Sequence, residues 1–361
     1  MARIPELPGG FTPEFLTALL RADGVLRAGG RVAHVRPSPM SAGIMADIVR
    51  LELAYAGEHG AAPASVVAKY SAANPTNRQI AQSYRLPERE TRFARDLVPR
   101  TRSRTPRTYF AGLEEDRFLI LMEDLGEYRV GNQAEGATLV QCELAIDELA
   151  KLHAPFWNHV DELDWVPGIA RSYHAENMLA LAPAGIAGVE ERFGDALARE
   201  IRDDKARFLA AIPAMQAWMA EAPTTLVHGD FRMENLLYGW KPAHAPVVVI
   251  DWQGPLRARG MADVALFLGQ SAQTEVRRAH ERALLARYVE GLRAGGVTGV
   301  TLEGAWEDYR RSVLYSWVYA LVVAGTLDAS RPEARAWMGQ MIARMTAASR
   351  DLGAFSLMPR A

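Results

Sequence analysis

The segment Leu226-Val-His-Gly-Asp-Phe-Arg-Met-Glu-Asn-Leu-Leu-Tyr-Gly239 decides how the rest of the chain is read. A short apolar strand runs into His228, Gly229 and Asp230, and Asn235 follows Asp230 by five positions before a second apolar run. A loop that serves phosphoryl transfer needs a carboxylate to accept the proton of an attacking hydroxyl and, close by, a hard oxygen donor for magnesium. Asp and Asn at this spacing supply both. Asp230 is therefore the candidate general base and Asn235 a candidate metal ligand. The plainer alternative is a turn whose Asp and Asn only satisfy backbone groups. The downstream sequence favours the chemical reading, because sixteen residues after Asn235 the apolar run VVVI ends on Asp251, where a second magnesium ligand is expected. Magnesium keeps several waters and binds one or two carboxylates together with nucleotide phosphates, so no closed protein cage is required.

Working toward the N-terminus, Lys69 ends the β-rich stretch SVVA and matches a strand lysine that pairs with nucleotide phosphates. A helical pattern over about Ser83 to Leu97 follows, with Leu86, Glu90, Phe93 and Leu97 at spacings of three and four and Pro99 just past its end. Glu90 is placed to hold Lys69; Glu88 is the competing partner but lies on a different face. Phe93 and Leu97 continue the Glu90 face toward the apolar side. Ser41 and Gly43, in PSPMSAGIMADIV, are the candidate phosphate-cradling residues, although an ordinary hairpin turn explains the segment nearly as well. FLILMEDLG, residues 118–126, would offer backbone groups to the adenine edge, with Glu123 and Leu125 near the ring.

Between Arg31 and about Glu123 the pattern is that of a sheet interrupted by the one helix, with strands at Ile48–Tyr55, Ser65–Tyr70 and Phe118–Met122. After Gly126 long helical segments dominate, the first over Thr138–His153, with TTLVH and VVVID as short strands flanking the Asp230 loop. Asp124 to Gly126 reads as a hinge. Asp263, at the start of the apolar helix ADVALFLG, reads as an N-terminal cap or a support for the loop. His153 and His174 have no partner at metal spacing and read as packing or surface residues.

The chain has 361 residues, 49% hydrophobic and 23% charged, which is enough for two packed units. A net charge of −2 gives no footprint for nucleic acid and no polybasic anchor for a membrane. Cys142 is the only cysteine, so no intramolecular disulfide and no thiolate zinc site can form. No signal peptide is evident, and the apolar stretch Ser312–Leu327 is too short to span a bilayer and reads as a buried helix. A cytoplasmic, soluble protein is the expectation.

Together these motifs make the chain resemble the aminoglycoside phosphotransferase and choline kinase superfamily, and within it the ecdysteroid kinase-like family. The resemblance is carried by VVAKY with Lys69, ERETRFARDLVPR with Glu90, LILMEDLG, GNQAEG before a helix ending LAKLHAPFW, HGDFRMEN and IDWQ, spanning about Ser38 to Gly269. It implies an α+β, two-lobed protein-kinase-like fold. Residues 1–124 would form a small antiparallel-sheet N-lobe with one key helix that binds nucleotide. Residues 125–361 would form a larger, mainly helical C-lobe. ATP would occupy the interlobe cleft, Mg2+ would sit on Asn235 and Asp251, Asp230 would be the base toward an alcohol, and Lys69 would be held by Glu90. His228 would shape the turn and carry no proton. Two departures stand out: Asp-Trp-Gln at 251–253 replaces Asp-Phe-Gly, and the glycine loop is thin.

The acceptor is expected to be a small-molecule alcohol. A polycationic aminoglycoside needs a strongly acidic pocket, whereas the second half of the chain mixes acidic residues with many arginines, which favours a neutral or apolar alcohol of steroid or terpenoid type. Choline, aminoglycoside or sugar-like acceptors remain the alternative on the same machinery, and a regulatory nucleotide-binding pseudokinase the alternative of another class. Phe156, Trp157, Trp165, Trp218, Trp252, Trp306 and Trp317 are candidates for an apolar acceptor wall, of which one or two are expected to line it. The number of copies in solution has no sequence signal.

Overall fold

A computed structural model describes residues 3–40, 45–115 and 117–359. The chain forms two compact units. One comprises Met1–Arg100, Thr105–Glu127 and Asp251–Gly254; the other comprises Thr101–Arg104, Tyr128–Ile250 and Pro255–Ala361. Three short segments, 101–104, 125–127 and 251–254, thus belong to units that a single linear boundary at 124 would not give them.

In the first unit, helix α1 (Pro13–Asp23) is capped by Thr12, whose side chain accepts the Phe15 N–H, and stopped by Gly24 at φ 86°. Proline at the first helical position and glycine just past the end are ordinary start and stop signals. Helix α1 lies outside the elements expected from the sequence. Strands β1 (Arg31–Pro39), β2 (Ala46–Ala56), β3 (Ser65–Ser71), β4 (Thr108–Glu114) and β5 (Arg117–Glu123) make an antiparallel sheet in the order β1-β2-β3-β5-β4. Leu16, Leu19 and Leu20 of α1 share a buried cluster with Leu51, Val66, Ala68, Leu119 and Leu121. Because side chains alternate along a strand, Lys69 points to the face opposite Ala68, where Ala46, Phe118 and Ile120 form a smaller cluster.

The single helix expected over Ser83–Leu97 is replaced by two. Helix α2 (Pro75–Ser83) ends at Tyr84, Arg85 takes a left-handed conformation at φ 53°, and α3 (Leu86–Arg92) begins anew with a proline in its first turn. Pro87 has no N–H to carry a helix through from α2, so its place is the start of the next one. Five further residues, Phe93–Leu97, continue α3 as a π-helical turn.

The second unit is mainly helical. Strand β6 (Arg129–Val130) precedes α4 (Leu139–His153), which opens on a Thr138/Gln141 capping box. Helices α5 (Tyr173–Phe193), α6 (Arg199–Asp203) and α7 (Lys205–Met219) follow. Then come β7 (Thr225–Val227), β8 (Leu236–Tyr238), β9 (Val247–Val249) and β10 (Leu256–Ala258). The chain finishes with α8 (Met261–Leu266), α9 (Thr274–Ala294), α10 (Leu302–Thr326) and α11 (Pro332–Asp351). β6-β8-β9 and β10-β7 are small antiparallel sheets that hold the segment 226–239 between them in sequence. Strands β7 and β9 are the two expected pieces; β8 and β10 are additional. The apolar stretch 312–327 forms the buried second half of α10, with Leu327 as its C-cap, as expected. Among the described residues, no helix is long and apolar enough to cross a membrane.

Helices α5 and α10 cross at glycines. A Cβ on Gly325 would collide with the Gly185 carbonyl oxygen, and one on Gly188 would collide with the Gly325 carbonyl oxygen, so the two backbones touch directly. Gly325→Ala must push the helices apart. Overpacking of this kind costs about 1–3 kcal/mol, and the variant should melt several degrees below wild type by calorimetry. An exposed control such as Gly296→Ala tests backbone strain instead of helix contact, since nothing lies near that Cβ.

Candidate active site

In the first unit, the Lys69 ammonium donates to Glu90 Oε1 at 2.7 Å and to Asp251 Oδ1 at 2.8 Å. Glu90, and not Glu88, is the helix partner. Phe93 and Leu97, the next positions on the Glu90 face, are fully buried, so packing of that face turns the carboxylate toward the sheet. Lys69 and Glu90 are both buried. Burial opposes the charge on Lys69, but the neighbouring Asp251 and Glu90 carboxylates outweigh it and hold the ammonium pKa above its usual value. Burial raises the Glu90 pKa, with Lys69 pulling it back and Asp251 adding to the rise. One cation therefore serves two carboxylates.

Asp251 adopts φ 65°, a left-handed conformation uncommon for a residue with a side chain. Backbone held in such a region persists where surrounding contacts fix it. Here the next residue does so: the Trp252 ring stacks on Phe93 with centroids 4.0 Å apart and planes 6° from parallel. Gln253 Nε2 donates to Asp251 Oδ2 at 3.3 Å. The Asp-Trp-Gln segment thus uses tryptophan to dock its aspartate beside the lysine.

In the second unit, Asp263 organises the turn 228–230. Its Oδ2 accepts the His228 N–H at 2.6 Å and its Oδ1 the Gly229 N–H at 3.0 Å. Of the two readings of Asp263 from sequence, support of the loop is the one observed; the N-cap of α8 is Gly260. His228 is buried, with Nε2 3.0 Å from the Ile250 carbonyl and Nδ1 accepting the Asp230 N–H at 3.3 Å. That leaves Nε2 as the donor and the ring as a neutral spacer. His153, read as packing, is a buried link: Nε2 lies 3.2 Å from Asp263 Oδ2 and Nδ1 2.7 Å from the Tyr288 hydroxyl. Burial, reinforced by Asp263, drives the Tyr288 pKa well above its usual value, which keeps that phenol protonated and donating.

Asp230 carries three donors. Arg232 Nε reaches Oδ1 at 3.1 Å, Asn235 Nδ2 reaches Oδ2 at 3.0 Å, and the Tyr319 hydroxyl makes a short bond to Oδ1. Asn235 Nδ2 also donates to the Asp230 carbonyl at 2.8 Å. Both amide hydrogens of Asn235 are thereby engaged by one residue, and the oxygen is the atom its amide presents to a cation. The Arg232 guanidinium pairs with Glu234 and lies over the Trp337 ring, 5.1 Å from its centroid.

Beside this loop a narrow apolar pocket opens between α5 and α10. Ile169, Met178, Leu256, Leu266, Tyr315 and Tyr319 wall it, with His174, Ser316 and Asp263 as polar members. None of the seven aromatic candidates, of which one or two were expected at an acceptor wall, lines this pocket. Phe156 and Trp317 are core, Trp252 belongs to the first unit, and Trp218 and Trp306 lie under arginines. Helical aromatics are more often packing than pocket, and the aromatics that line this pocket are two tyrosines. Tyr319 was hidden inside an apolar run, where its hydroxyl leaves no periodic signal, and Arg232 inside the motif itself.

Glu123 ends β5, with its N–H bonded to the Arg107 carbonyl at 2.8 Å and its Oε2 accepting the Arg107 N–H at 3.0 Å. Leu125 is buried. Asp124, between them, accepts from Ser65, Arg50 and the Gly126 N–H. Ser41 and Gly43 lie outside the described residues.

The sequence profile of the ecdysteroid kinase-like family matches residues 42–160 and 176–295, about two-thirds of the chain. No protein of curated function matches it by sequence. Among solved structures, a Ralstonia eutropha protein described as an aminoglycoside phosphotransferase aligns at TM-score 0.54 and 16% identity, covering 96% of this chain and 98% of that one. Aminoglycoside 2'-phosphotransferase-IIIa, solved as its GDP complex, aligns at 0.52 and 14%, covering 94% and 98%. Plasmodium vivax ethanolamine kinase aligns at 0.51 and 12%, covering 87% and 81%. At these identities the likeness speaks for the fold alone, an α+β kinase-like architecture with an antiparallel five-stranded sheet followed by a mainly helical region.

The lysine with two carboxylates makes an asymmetric prediction. Lys69→Met leaves two carboxylates facing each other without a cation and should cost about 3–5 kcal/mol, while Glu90→Gln leaves the Lys69–Asp251 pair intact and should cost clearly less. Urea unfolding of the two variants beside wild type measures the difference. Equal losses would mean that Asp251 does not share the lysine.

Proposed function

The chain belongs to the ecdysteroid kinase-like family of small-molecule phosphotransferases, and from that premise we propose that it transfers the γ-phosphoryl group of MgATP to a hydroxyl of a neutral or apolar alcohol of steroid or terpenoid type. In this reading Asp230 is the general base, Asn235 and Asp251 are magnesium ligands, and Lys69, held by Glu90, steadies the phosphates. Residues 1–124 serve the nucleotide and residues 125–361 the acceptor and the loop.

The observation that carries the reading is the pocket beside Asp230. Its walls are aliphatic and tyrosyl, and its one carboxylate, Asp263, is already engaged by two backbone N–H groups and a histidine. Such a wall attracts an apolar body and offers a polycation no counter-charge. The donor set also fits the metal: a carboxylate with an amide oxygen is hard, and Mg2+ needs only a few such ligands when phosphates and water complete its shell. Bound magnesium would neutralise charge developing on the phosphoryl oxygens. The chain's own part is positional. The Asn235 amide and Arg232 hold the Asp230 carboxylate in one orientation, and the Asp263 carboxylate holds the turn that carries it. Backbone groups near Glu123 and Leu125, and the segment with Ser41 and Gly43, are proposed to meet the adenine and the phosphates.

The test is a thermal shift followed by turnover. MgATP at about a hundred times its dissociation constant should stabilise wild type by about 2.7 kcal/mol, raising the melting point by several degrees, and Asp251→Ala should lose that shift. Asp230→Asn should keep the shift and lose turnover about 10²–10⁴-fold. A panel of neutral polycyclic alcohols and polycationic aminoglycosides then decides the acceptor class. Turnover of the aminoglycosides alone would overturn the apolar-acceptor reading.

A further inference from the structure

We propose that Tyr319 is the gate of the acceptor site: while no acceptor is bound, its phenolic hydroxyl occupies on Asp230 the place that the acceptor's hydroxyl takes during reaction. The inference rests on Asp230 being the base, and it adds a residue that no motif contains.

Three observations carry it. Tyr319 is half-buried on α10 and walls the apolar pocket, together with Gly229 of the loop, whereas Asp230 is not among the pocket's lining residues. A molecule in that pocket meets the tyrosine before it meets the carboxylate. Next, the Asp230 oxygens are differently filled. Oδ1 takes the Tyr319 hydroxyl and Arg232 Nε at 3.1 Å, which uses both of its lone pairs, while Oδ2 takes the Asn235 amide at 3.0 Å and a longer contact from the same Arg232 Nε at 3.5 Å. An alcohol donating to Oδ1 must therefore displace one of the two donors. Arg232 is a charged donor that reaches both oxygens of the carboxylate, so the neutral phenol is the donor that yields. Finally, a phenol and an alcohol present the same group to a carboxylate, one O–H donor on one carbon, so the exchange leaves the hydrogen-bond count at Asp230 unchanged.

The device has a chemical use. A base that stands open beside MgATP can deprotonate water: the water oxygen bonds to the γ-phosphorus, the bond to the departing ADP oxygen breaks with its electron pair staying on ADP, and the proton passes to Asp230. A hydroxyl already seated on Oδ1 keeps that water out until an acceptor with enough apolar surface to fill the pocket turns the ring away. Replacing Tyr319 by Phe removes one oxygen and leaves a water-sized gap bounded by Asp230 Oδ1 and Arg232 Nε, which are two polar partners for a water.

The experiment measures MgATP hydrolysis by the full chain with no acceptor present, for wild type, Tyr319→Phe, Tyr319→Met and the double variant Tyr319→Phe/Asp230→Asn. The MgATP thermal shift of each is recorded in parallel. Loss of one competing hydrogen bond should raise hydrolysis about five- to ten-fold in Tyr319→Phe, or in Tyr319→Met if the phenylalanine variant does not fold. The double variant should fall back to or below wild type, because the water is activated through Asp230. A rise is the signature that a merely structural tyrosine would not give. Unchanged or lower hydrolysis in both single variants, with their MgATP shifts intact, overturns the gate and leaves the kinase reading standing. A rise that survives in the double variant also overturns it, since the hydrolysis would not pass through the base. Absence of any MgATP shift in wild type overturns the kinase reading, and the gate with it.

Discussion

A buried carboxylate, Asp263, fixes the backbone on which the site in the second unit is built. It is taken out of water at the start of α8, and a charge so placed is tolerated only when donors surround it. It finds them in the N–H groups of His228 and Gly229 and in His153. Gly229, at φ 80°, supplies the left-handed turn that lets two successive N–H groups converge on one carboxylate. Once that turn is set, Asp230 has one direction in which to point. The Tyr288–His153–Asp263 chain ties α9, α4 and α8 to the same place, so three helices and β7 share the task of holding one turn.

The first unit solves a related problem with the opposite charge. A lysine at the buried end of a strand needs anions, and the alternation of β3 sends Lys69 away from the α1-packed core toward Glu90 and Asp251. The carboxylate in excess is the notable part. A lone Lys–Glu pair would be balanced one to one; with Asp251 added, one ammonium stands against two carboxylates and is held firmly in its charged form. The same arrangement explains why Asp251 tolerates its left-handed backbone: Trp252 stacked on Phe93 and the bond to Lys69 hold it from both sides.

What was legible in the sequence follows the reach of its signals. Strand alternation and helical periodicity exposed the sheet, α4, buried α10 and the strands flanking the loop, because burial imposes those periods locally. The Lys69–Glu90 pair was readable since Phe93 and Leu97 mark the buried face of that helix three and seven residues on. The break at Arg85 was not, because an arginine in a left-handed conformation carries no signal of its own, and Pro87 inside an apolar pattern was absorbed into one long helix. β8 was invisible inside the loop motif, three apolar residues being compatible with several structures. Tyr319 was out of reach for a different reason. It stands 89 residues from Asp230, and only the crossing of α5 and α10 at their glycines tells which tyrosine of an apolar helix meets the loop.

That crossing also accounts for the character of the pocket. Backbones in direct contact at Gly185, Gly188 and Gly325 seat α5 closely on α10, and the pocket is lined by Met178 of α5 and by Tyr315 and Tyr319 of α10. The space inherits the chemistry of a helix interface, apolar with a few hydroxyls. Tyrosine suits the border between such a space and a charged base better than serine or phenylalanine would. Its ring belongs to the apolar wall, and its hydroxyl is long enough to reach the carboxylate. In the proposed reading one side chain then serves both: filling the pocket and freeing a lone pair on Asp230 would require the same movement of the same ring, so that the body of an acceptor would be tested before its hydroxyl reached the base.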